Sequence, residues 1–396
     1  MTLMTTELRV ALVSRFDATD VRVLSGATHF MISALRRRSV SVTPLGPMVS
    51  IWMRLGRYVS GMARLLGRRY DWTHSLAGSR ELGKKFAARL DKGNYDIIFA
   101  PLASAEIAYL KTSIPIVYLT DMTFASGKSY YHSFSNLLPF AASEGEIIER
   151  RAIRNASELV TCSEWVGKSF REDYGCKSDH VHVVPYGANL DDPPIREEAL
   201  AERSREACRL LMLGVDWERK GGPLALKVLQ SLLEAGVKAE LVVCGCKPPA
   251  GLTHPNMRVV PFLNKSRPDE ARQLRQLLLS STFLIVPSQA EAWGFVFGEA
   301  SACGLPSITR NTGGIASVVR HGINGLCLPA EADAEEYSAQ ILALLRSPGA
   351  YRSLCISSRD EYEMRLNWDL WAAQMVEVFT IARGLAVPSA KVAGYV

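Results

Sequence analysis

Short apolar runs separated by helix-length segments recur along this chain, and this alternation constrains the fold more than any other feature of the sequence. Strands spaced in this way pair in parallel, because each connection has room for a helix that crosses over the sheet. The sequence therefore predicts an α/β protein built from βαβ units. The predicted strands cover residues 9–13, 39–42, 95–100, 114–119, 159–163 and 182–185 in the first half, and 210–214, 241–245, 259–262 and 283–286 in the second.

The length of the chain predicts two domains. A chain of 396 residues is too long for one ordinary hydrophobic core. Residues 186–194 are rich in turn-forming residues, which is typical of an interdomain linker. We therefore predict two doubly wound Rossmann-like domains, the first covering residues 1–190 and the second covering residues 191–365.

Composition excludes several classes of protein. A hydrophobic content of 48% with 22% charged residues is that of a globular protein and excludes a disordered chain. No run of eighteen apolar residues is present, so no membrane-spanning helix is predicted. Residues 1–7 lack the basic and apolar parts of an export signal, and the eight cysteines show no paired spacing, so we expect a cytoplasmic location. The net charge of +6 would suit nucleic acid, but no zinc-finger or RNA-binding signature accompanies it, and no nucleic-acid partner is predicted.

Two glutamates eight positions apart follow the predicted strand at residues 283–286. Glu291 lies in the loop after the strand, and Glu299 lies inside a helix that begins near Gly294. Ligands of open α/β sheets bind in the crevice at the carboxyl ends of the strands, and an ionised carboxylate there can accept hydrogen bonds from sugar hydroxyls. The alternative is a helix with one glutamate favoured by the helix dipole and a second that is solvated. These two residues alone favour neither interpretation.

The residues around the two glutamates resemble the signature of retaining family-4 glycosyltransferases. The resemblance runs from Pro287-Ser288 through Glu291-x7-Glu299 to residues 302–306 and Gly313-Gly314. It implies the GT-B fold, in which two Rossmann-like domains face a central cleft and a last helix, here within residues 366–396, crosses back to the first domain. It also implies a nucleoside-diphosphate sugar as donor, with Glu291 facing the sugar ring and Glu299 holding the ribose hydroxyls.

A phosphate site is predicted at the start of the second domain. Arg219 and Lys220 precede a predicted helix, where exposed N–H groups and the helix dipole favour an anion. The family usually has Gly-Arg, four residues and Lys-Gly at this place, with both cations on the diphosphate. In this chain Val215 stands at the position of the arginine, so we expect either that Arg219 replaces that charge or that Lys220 acts with backbone amides alone. The alternative to a phosphate site is a solvated basic turn.

The resemblance implies further contacts with the donor. Gly26 opens the first predicted helix, where a glycine lets the backbone approach a phosphate, although a plain turn explains it nearly as well. The complete donor-binding set that we predict is Gly26, Arg219, Lys220, Phe262, Gly294, Phe295, Val296 and Glu299.

Asp121 is predicted, together with Glu291, to take part in the chemistry. It follows the predicted strand at residues 114–119, about where many family members have a histidine close to the reacting sugar. A carboxylate there could orient an acceptor hydroxyl or take its proton. It could equally be the N-cap of the next helix.

The sequence predicts no metal and no cofactor besides the donor. No Asp-x-Asp motif is present to supply close oxygen ligands for Mg²⁺ or Mn²⁺. We therefore expect cationic side chains to stabilise the leaving diphosphate. The predicted partners are a nucleotide sugar and a glycan or glycolipid acceptor. A nucleotide-sugar 2-epimerase and a non-catalytic binding protein of the same fold remain alternatives.

Residues 52–69 form a basic segment that contains no acid. On a helix its large apolar side chains fall within an arc of about 160°, and its arginines gather on the other side. A basic amphipathic helix can lie on an anionic membrane surface, which would make the protein peripheral on the inner face of the membrane. The alternative is that the apolar arc faces the core, with Gly56, Gly61 and Gly67 weakening the helix.

Overall fold

The computed structural model describes residues 7–203 and 206–385, and they contain two parallel sheets of six strands each. The prediction that the chain starts without an export signal falls mainly on residues 1–6, which lie outside the described residues, and the cytoplasmic location stays a prediction. No helix within the described ranges is long and apolar enough to cross a membrane.

The first sheet has the strand order β2-β1-β3-β4-β5-β6, with every neighbouring pair parallel. Its central strands are buried on both faces, which explains why they are nearly continuous apolar runs in the sequence. The strands are β1 (Leu8–Leu12), β2 (Val40–Pro44), β3 (Ile97–Pro101), β4 (Ile116–Thr120), β5 (Glu158–Thr161) and β6 (Val181–Val183).

The second sheet has the order β12-β11-β10-β7-β8-β9, again with parallel neighbours. All ten predicted strands are present, and their ends differ from the prediction by at most two residues. The sequence missed β11 and β12 because both are short and carry polar residues or glycine. The strands are β7 (Cys208–Leu213), β8 (Ala239–Cys244), β9 (Met257–Val260), β10 (Phe283–Val286), β11 (Ser307–Arg310) and β12 (Gly325–Leu328).

Helices connect the strands. Several begin at a side-chain cap, such as Ser75 before the third helix, whose hydroxyl accepts a hydrogen bond from the Gly78 N–H. The α-helices are α1 (Ala27–Arg37), α2 (Ile51–Leu65), α3 (Leu76–Leu90), α4 (Ser104–Ile107), α5 (Phe124–Gly127), α6 (Pro139–Asn155), α7 (Glu164–Glu172), α8 (Arg196–Ala199), α9 (Gly222–Glu234), α10 (Pro268–Ser280), α11 (Phe295–Ala302), α12 (Ile315–Val318), α13 (Ala334–Arg346), α14 (Pro348–Met364) and α15 (Trp368–Ala382). Short 3-10 segments cover Val23–Gly26, Trp72–His74, His132–Phe134 and Ser178–His180.

The chain divides into two compact units. The first unit contains residues 1–184 and 371–396, and the second contains residues 185–370. The last helix, α15, starts in the second unit and continues in the first. Within the first unit the rings of Trp371 and Phe379 pack on Phe99 of β3, with centroids 6.2 and 5.6 Å apart. The C-terminal segment thus completes the core of the first unit.

Each sheet has one topological switch point, which is the pair of adjacent strands from which the chain connections lead in opposite directions. In the first sheet this pair is β1 and β3, and in the second it is β7 and β10. Loops at the carboxyl ends of such a pair diverge to opposite sides of the sheet and leave a crevice between them. The two crevices are where ligand sites are expected.

The helix α2 covers much of the basic segment, but its apolar arc does not face the core. The buried residues of α2 are Met53, Gly56 and Ala63, while Tyr58 and Leu65 are 76% and 87% exposed. The core-facing alternative is therefore wrong. A side chain on Gly56 would place its Cβ 2.8 Å from the Cβ of Trp72, so the small residues are the ones that let the helix approach the unit.

Candidate active site

The switch point of the second sheet brings the predicted cations and the first glutamate together. Lys220 lies between β7 and α9, and Glu291 lies in the loop after β10. The Lys220 ammonium donates to Oε2 of Glu291, and the Arg219 Nη1 lies 3.6 Å from the same oxygen. The Ser288 hydroxyl donates to this oxygen as well, at 3.4 Å. Arg219 thereby adds a second cation to the cluster, while Val215 is 64% exposed.

Burial makes this cluster more than a surface contact. Lys220 is 7% exposed and Glu291 is 9% exposed, so the solvated basic turn that we considered is wrong for Lys220. Removing one partner of a buried ion pair leaves the other charge buried and unpaired, which is strongly unfavourable. The two residues therefore hold each other in place at the crevice.

Two glycines shape the backbone beside the cluster. Gly221 precedes α9 with φ +78°, and a Cβ there would lie 2.2 Å from the carbonyl oxygen of Pro287. Gly294 precedes α11 with φ +85°, and a Cβ there would lie 2.7 Å from the ring of Phe297. Both positions therefore require glycine. The N-termini of α9 and α11, which are the positive ends of the two helix dipoles, consequently begin close to the strand ends.

Glu299 is buried inside α11 and forms an ion pair that the sequence did not reveal. Its side chain accepts from the Lys265 ammonium, which also donates to the carbonyl oxygen of Asn189 at 3.2 Å. Glu299 is 1% exposed, so the interpretation of a solvated second glutamate is wrong. Lys265 lies in the loop after β9, where no motif marked it.

The aromatic residues of the predicted donor set differ in their surroundings. Phe262 is 64% exposed and lies beside Gly245, at the carboxyl ends of β8 and β9. The ring of Phe295 instead stacks on Tyr186 at 5.5 Å and 9°, next to Trp368. Phe295 and half-buried Val296 open α11, so what they can offer a ligand is the backbone at the start of that helix.

Asp121 immediately follows β4 at the carboxyl edge of the first sheet and is half-buried. The alternative that it caps the next helix is wrong, because Thr123 is the N-cap of α5. The Thr123 hydroxyl accepts from the Ser126 N–H at 3.1 Å, and the Ser126 hydroxyl accepts from the Thr123 N–H. Asp121 thus lies at the strand end where a ligand-binding carboxylate is expected, and it is not the N-cap of α5.

A polar cluster at the switch point of the first sheet was not foreseen. Arg15 follows β1, and its N–H donates to Oε1 of Glu106 at 3.1 Å. Ser104 follows β3, and its hydroxyl lies 3.4 Å from Nε2 of His74. The other ring nitrogen of His74 lies 2.5 Å from Oδ2 of Asp71. These residues lie far apart in the sequence, and no motif connects them.

Electrostatics distinguishes the carboxyl groups around His74. Burial alone would raise the pKa of Asp71, but the hydrogen bond and charge of His74 outweigh it and lower that pKa to about 2. Glu149 lies deeper and accepts from the Tyr118 hydroxyl at 3.1 Å. Burial raises the pKa of Glu149 to about 7, against the opposing effect of the His74 charge. Asp71 is therefore a stable anion next to His74, whereas Glu149 changes its charge near neutral pH.

Gly26 lies at a strained turn rather than a plain one. It precedes α1 with φ +81°, and the two residues before it, Leu24 and Ser25, have φ of +50° and +57°. Positive φ in two successive non-glycine residues is costly and is commonly associated with function. The structure therefore keeps Gly26 as a candidate for backbone contact with a ligand.

Within residues 7–203 and 206–385 no group of three or more His, Cys, Asp or Glu side chains could hold a metal ion. The predicted independence of metal stays a prediction.

Comparisons with known proteins agree with this architecture. The family models for glycosyl transferases group 1 and for glycosyltransferase family 4 match residues 201–360 and 28–192. A D-inositol 3-phosphate glycosyltransferase of Nocardiopsis dassonvillei is 24% identical over 247 residues, which cover 58% of this chain and 57% of that relative. The chain thus spans little more than half the length of this relative.

Two solved structures share the fold over almost the whole chain. Sucrose-phosphate synthase from Thermosynechococcus elongatus superposes with a TM-score of 0.67 at 17% identity, covering 94% of this chain and 98% of its own. Anabaena HepE, in complex with UDP and glucose, superposes with a TM-score of 0.64 at 15% identity, covering 94% and 100%. The predicted two-domain GT-B fold class is thereby confirmed.

Proposed function

The chain belongs to the glycosyl transferases of group 1 and family 4, and we propose that it is a retaining hexosyltransferase. The donor is a UDP- or GDP-sugar, and the acceptor is a hydroxyl of a glycolipid, a polysaccharide or a small molecule. UDP has support from HepE, whose structure contains UDP and glucose. A small polyol has support from the relative that is named for D-inositol 3-phosphate.

The observation that carries the proposal is the cluster of Arg219, Lys220 and Glu291 at the start of α9. A diphosphate there meets two cationic side chains and the positive end of the dipole of a helix thirteen residues long. As the bond between sugar and phosphate breaks, negative charge grows on the leaving diphosphate, and fixed cations stabilise it. Glu291 beside them is suited to accept hydrogen bonds from sugar hydroxyls, and Glu299 from those of the ribose.

The acceptor is proposed to bind at the first sheet. Asp121 orients the attacking hydroxyl or takes its proton, and His74, held by Asp71, positions the acceptor through its hydroxyls. Replacing His74 with Gln should raise the KM for the acceptor several-fold while the Kd of the donor stays unchanged. His180→Gln, an exposed histidine of the same unit, is the matched control. An unchanged acceptor KM in the His74 variant would remove this residue from the site.

Transfer itself is tested in two steps. A panel of UDP- and GDP-sugars is screened by thermal shift, because a ligand that binds only the folded protein raises its melting temperature. The stabilising donor is then incubated with lipid-linked sugars, polysaccharide or D-inositol 3-phosphate, and release of nucleoside diphosphate is measured. We expect release to depend on one acceptor class. Release that no acceptor increases, or conversion of the donor into an epimer, would contradict the proposal.

Leaving-group stabilisation without metal is part of the proposal. Lys220 and Arg219 take the place that Mg²⁺ or Mn²⁺ holds in enzymes with clustered acidic ligands. Activity is therefore expected to survive EDTA at full rate. Loss of activity in EDTA with recovery on adding Mn²⁺ would show that a metal ion stabilises the leaving diphosphate instead.

A further inference from the structure

An exposed apolar surface on α2 is a feature that the proposed transfer chemistry does not use. We define the α2 surface as Val49 together with the outward-facing large apolar side chains of residues 51–66. They are between 41% and 87% exposed. A contiguous exposed apolar patch of this kind marks an interaction site in a folded protein. The members are Val49, Ile51, Trp52, Leu55, Tyr58, Val59, Met62, Leu65 and Leu66.

The way α2 packs shows that this exposure is built into the fold. Glycine takes part in close contacts between α2 and the rest of the first unit. Gly56 of α2 lies against Tyr70 and Trp72, and Met53 of α2 lies against Gly78. Large apolar residues usually supply such a contact. Here they point away from it, and Phe140 of α6, which is 51% exposed, extends the surface through its contact with Tyr70 at 5.5 Å.

The charges around the α2 surface identify its partner. Residues 49–70 contain five arginines and no aspartate or glutamate, and Glu81, which accepts from the Ile51 N–H, is itself paired with Lys85. Arg54, Arg57 and Arg64 are exposed along α2, and none of them forms an ion pair with any residue that the structure describes. A second copy of the chain would bring the same unbalanced arginines face to face. An anionic lipid surface instead offers negative charge beside an apolar interior, which matches both components.

We propose that the α2 surface binds peripherally to anionic lipid bilayers, with its apolar side chains among the acyl chains and its arginines at the headgroups. This inference goes beyond the proposed transferase activity and does not depend on it, because binding needs neither donor nor acceptor. If the acceptor is a glycolipid, the same contact would hold the protein next to its substrate.

Co-sedimentation of the full chain with vesicles tests the proposal. Vesicles of phosphatidylcholine alone are compared with vesicles that also contain phosphatidylglycerol. We expect binding to the anionic vesicles and much less to the neutral ones, with a loss of binding as salt is raised, because salt screens the charge attraction. No sedimentation beyond the vesicle-free control with either composition would overturn the proposal.

Two sets of variants separate the apolar and the charged contributions. Tyr58→Ser, Met62→Ser and Leu65→Ser combined should abolish sedimentation, while Ile195→Ser, at a residue 65% exposed in the second unit, should not change it. Both proteins should keep the parent melting temperature, because the side chains are exposed. Unchanged sedimentation of the triple variant would overturn the proposal.

The arginines are tested by Arg54→Gln, Arg57→Gln and Arg64→Gln combined. We expect roughly tenfold or weaker binding to anionic vesicles, because each basic residue near the surface contributes to the attraction. The control with equal loss of charge is Lys111→Gln, Lys177→Gln and Lys247→Gln, at exposed positions outside the α2 surface. Equal weakening by both sets would mean that net charge, not this surface, drives binding. A dimer in ultracentrifugation that the serine variants dissociate would assign the surface to a second copy and overturn the proposal.

Discussion

The switch points of the two sheets differ in how their polar residues were assembled. In the second sheet, Lys220 and Glu291 each come from a recognisable segment, and the fold joins the two segments into one ion pair. In the first sheet, Arg15, His74 and Ser104 come from three segments without any motif, yet they meet in the same topological place. The residues at equivalent positions of two similar sheets can therefore be recognisable from sequence motifs in one sheet and not in the other.

The two units also differ in the electrostatics of individual buried carboxyl groups. In the second unit, the buried carboxylates of Glu291 and Glu299 at the candidate site are each paired with a lysine. In the first unit, Glu149 is buried next to the Tyr118 hydroxyl, and burial raises the pKa of this carboxyl to about 7. Glu291 and Glu299 are thus held in ion pairs, whereas the buried Glu149 carboxyl of the first unit changes its charge near neutral pH.

The largest effect is expected at Lys220. Lys220→Ala should lower turnover by about 100- to 1000-fold, the cost of losing one fixed group that stabilises developing charge. It should also weaken donor binding. Initial rates and donor Kd are compared with those of Lys227→Ala, an exposed lysine of the same helix α9. The turnover and donor Kd of Arg219→Ala then show whether Arg219 also stabilises the diphosphate. A Lys220 variant as active as the Lys227 variant would contradict the assignment of the diphosphate to this switch point.

Asp121 tests whether the carboxyl edge of the first sheet takes part in the chemistry. Asp121→Asn should reduce turnover by about 100-fold, which is typical of losing a group that handles a proton, and should leave the melting temperature unchanged. Thr123→Ala is the contrasting variant, because it removes the α5 cap and should cost about 1 kcal/mol of stability with little effect on rate. Full activity of Asp121→Asn would leave the first sheet without a role in the reaction step.

Glu149 tests the electrostatic contrast. Because its pKa is raised from 4.5 to about 7 on folding, its contribution to stability is present below pH 4.5 and is lost as the pH rises through 7. Glu149→Gln cannot ionise, so it should be about as stable as the parent at pH 4.5 and more stable by on the order of 3 kcal/mol at pH 8. Urea unfolding of both proteins across this range measures the difference. Parallel stability curves would mean that Glu149 has an ordinary pKa.

The smallest of these effects is expected at Glu299. Glu299→Ala should weaken nucleoside-diphosphate binding by about tenfold, the value of one hydrogen bond to a charged acceptor of about 1.5 kcal/mol. Glu218→Ala, at an exposed glutamate near the same site, serves as the control for calorimetric titration with UDP and GDP. Equal Kd values for the two variants would show that the ribose binds elsewhere and that Glu299 serves only its ion pair with Lys265.

The sequence alone determined ten of the twelve described strands and indicated three charged residues of the second switch point. Apolar runs such as the one that became β10 are readable because strands buried on both faces must be apolar along their whole length. Lys220, Glu291 and Glu299 were identified through the resemblance of their segments to a known family, and such a resemblance is readable because each segment is a contiguous strand, turn and helix.

Only the tertiary structure decided which of these charges meet and which surfaces stay exposed. Lys265 reaches Glu299 and His74 reaches Ser104 across long stretches of sequence, and no local periodicity encodes such contacts. The orientation of α2 depends equally on its neighbours. The apolar arc of α2 is evident from the sequence, but such an arc could face either the protein core or a membrane surface. Gly56 fits closely against Trp72, and this contact turns the large side chains of α2 outward.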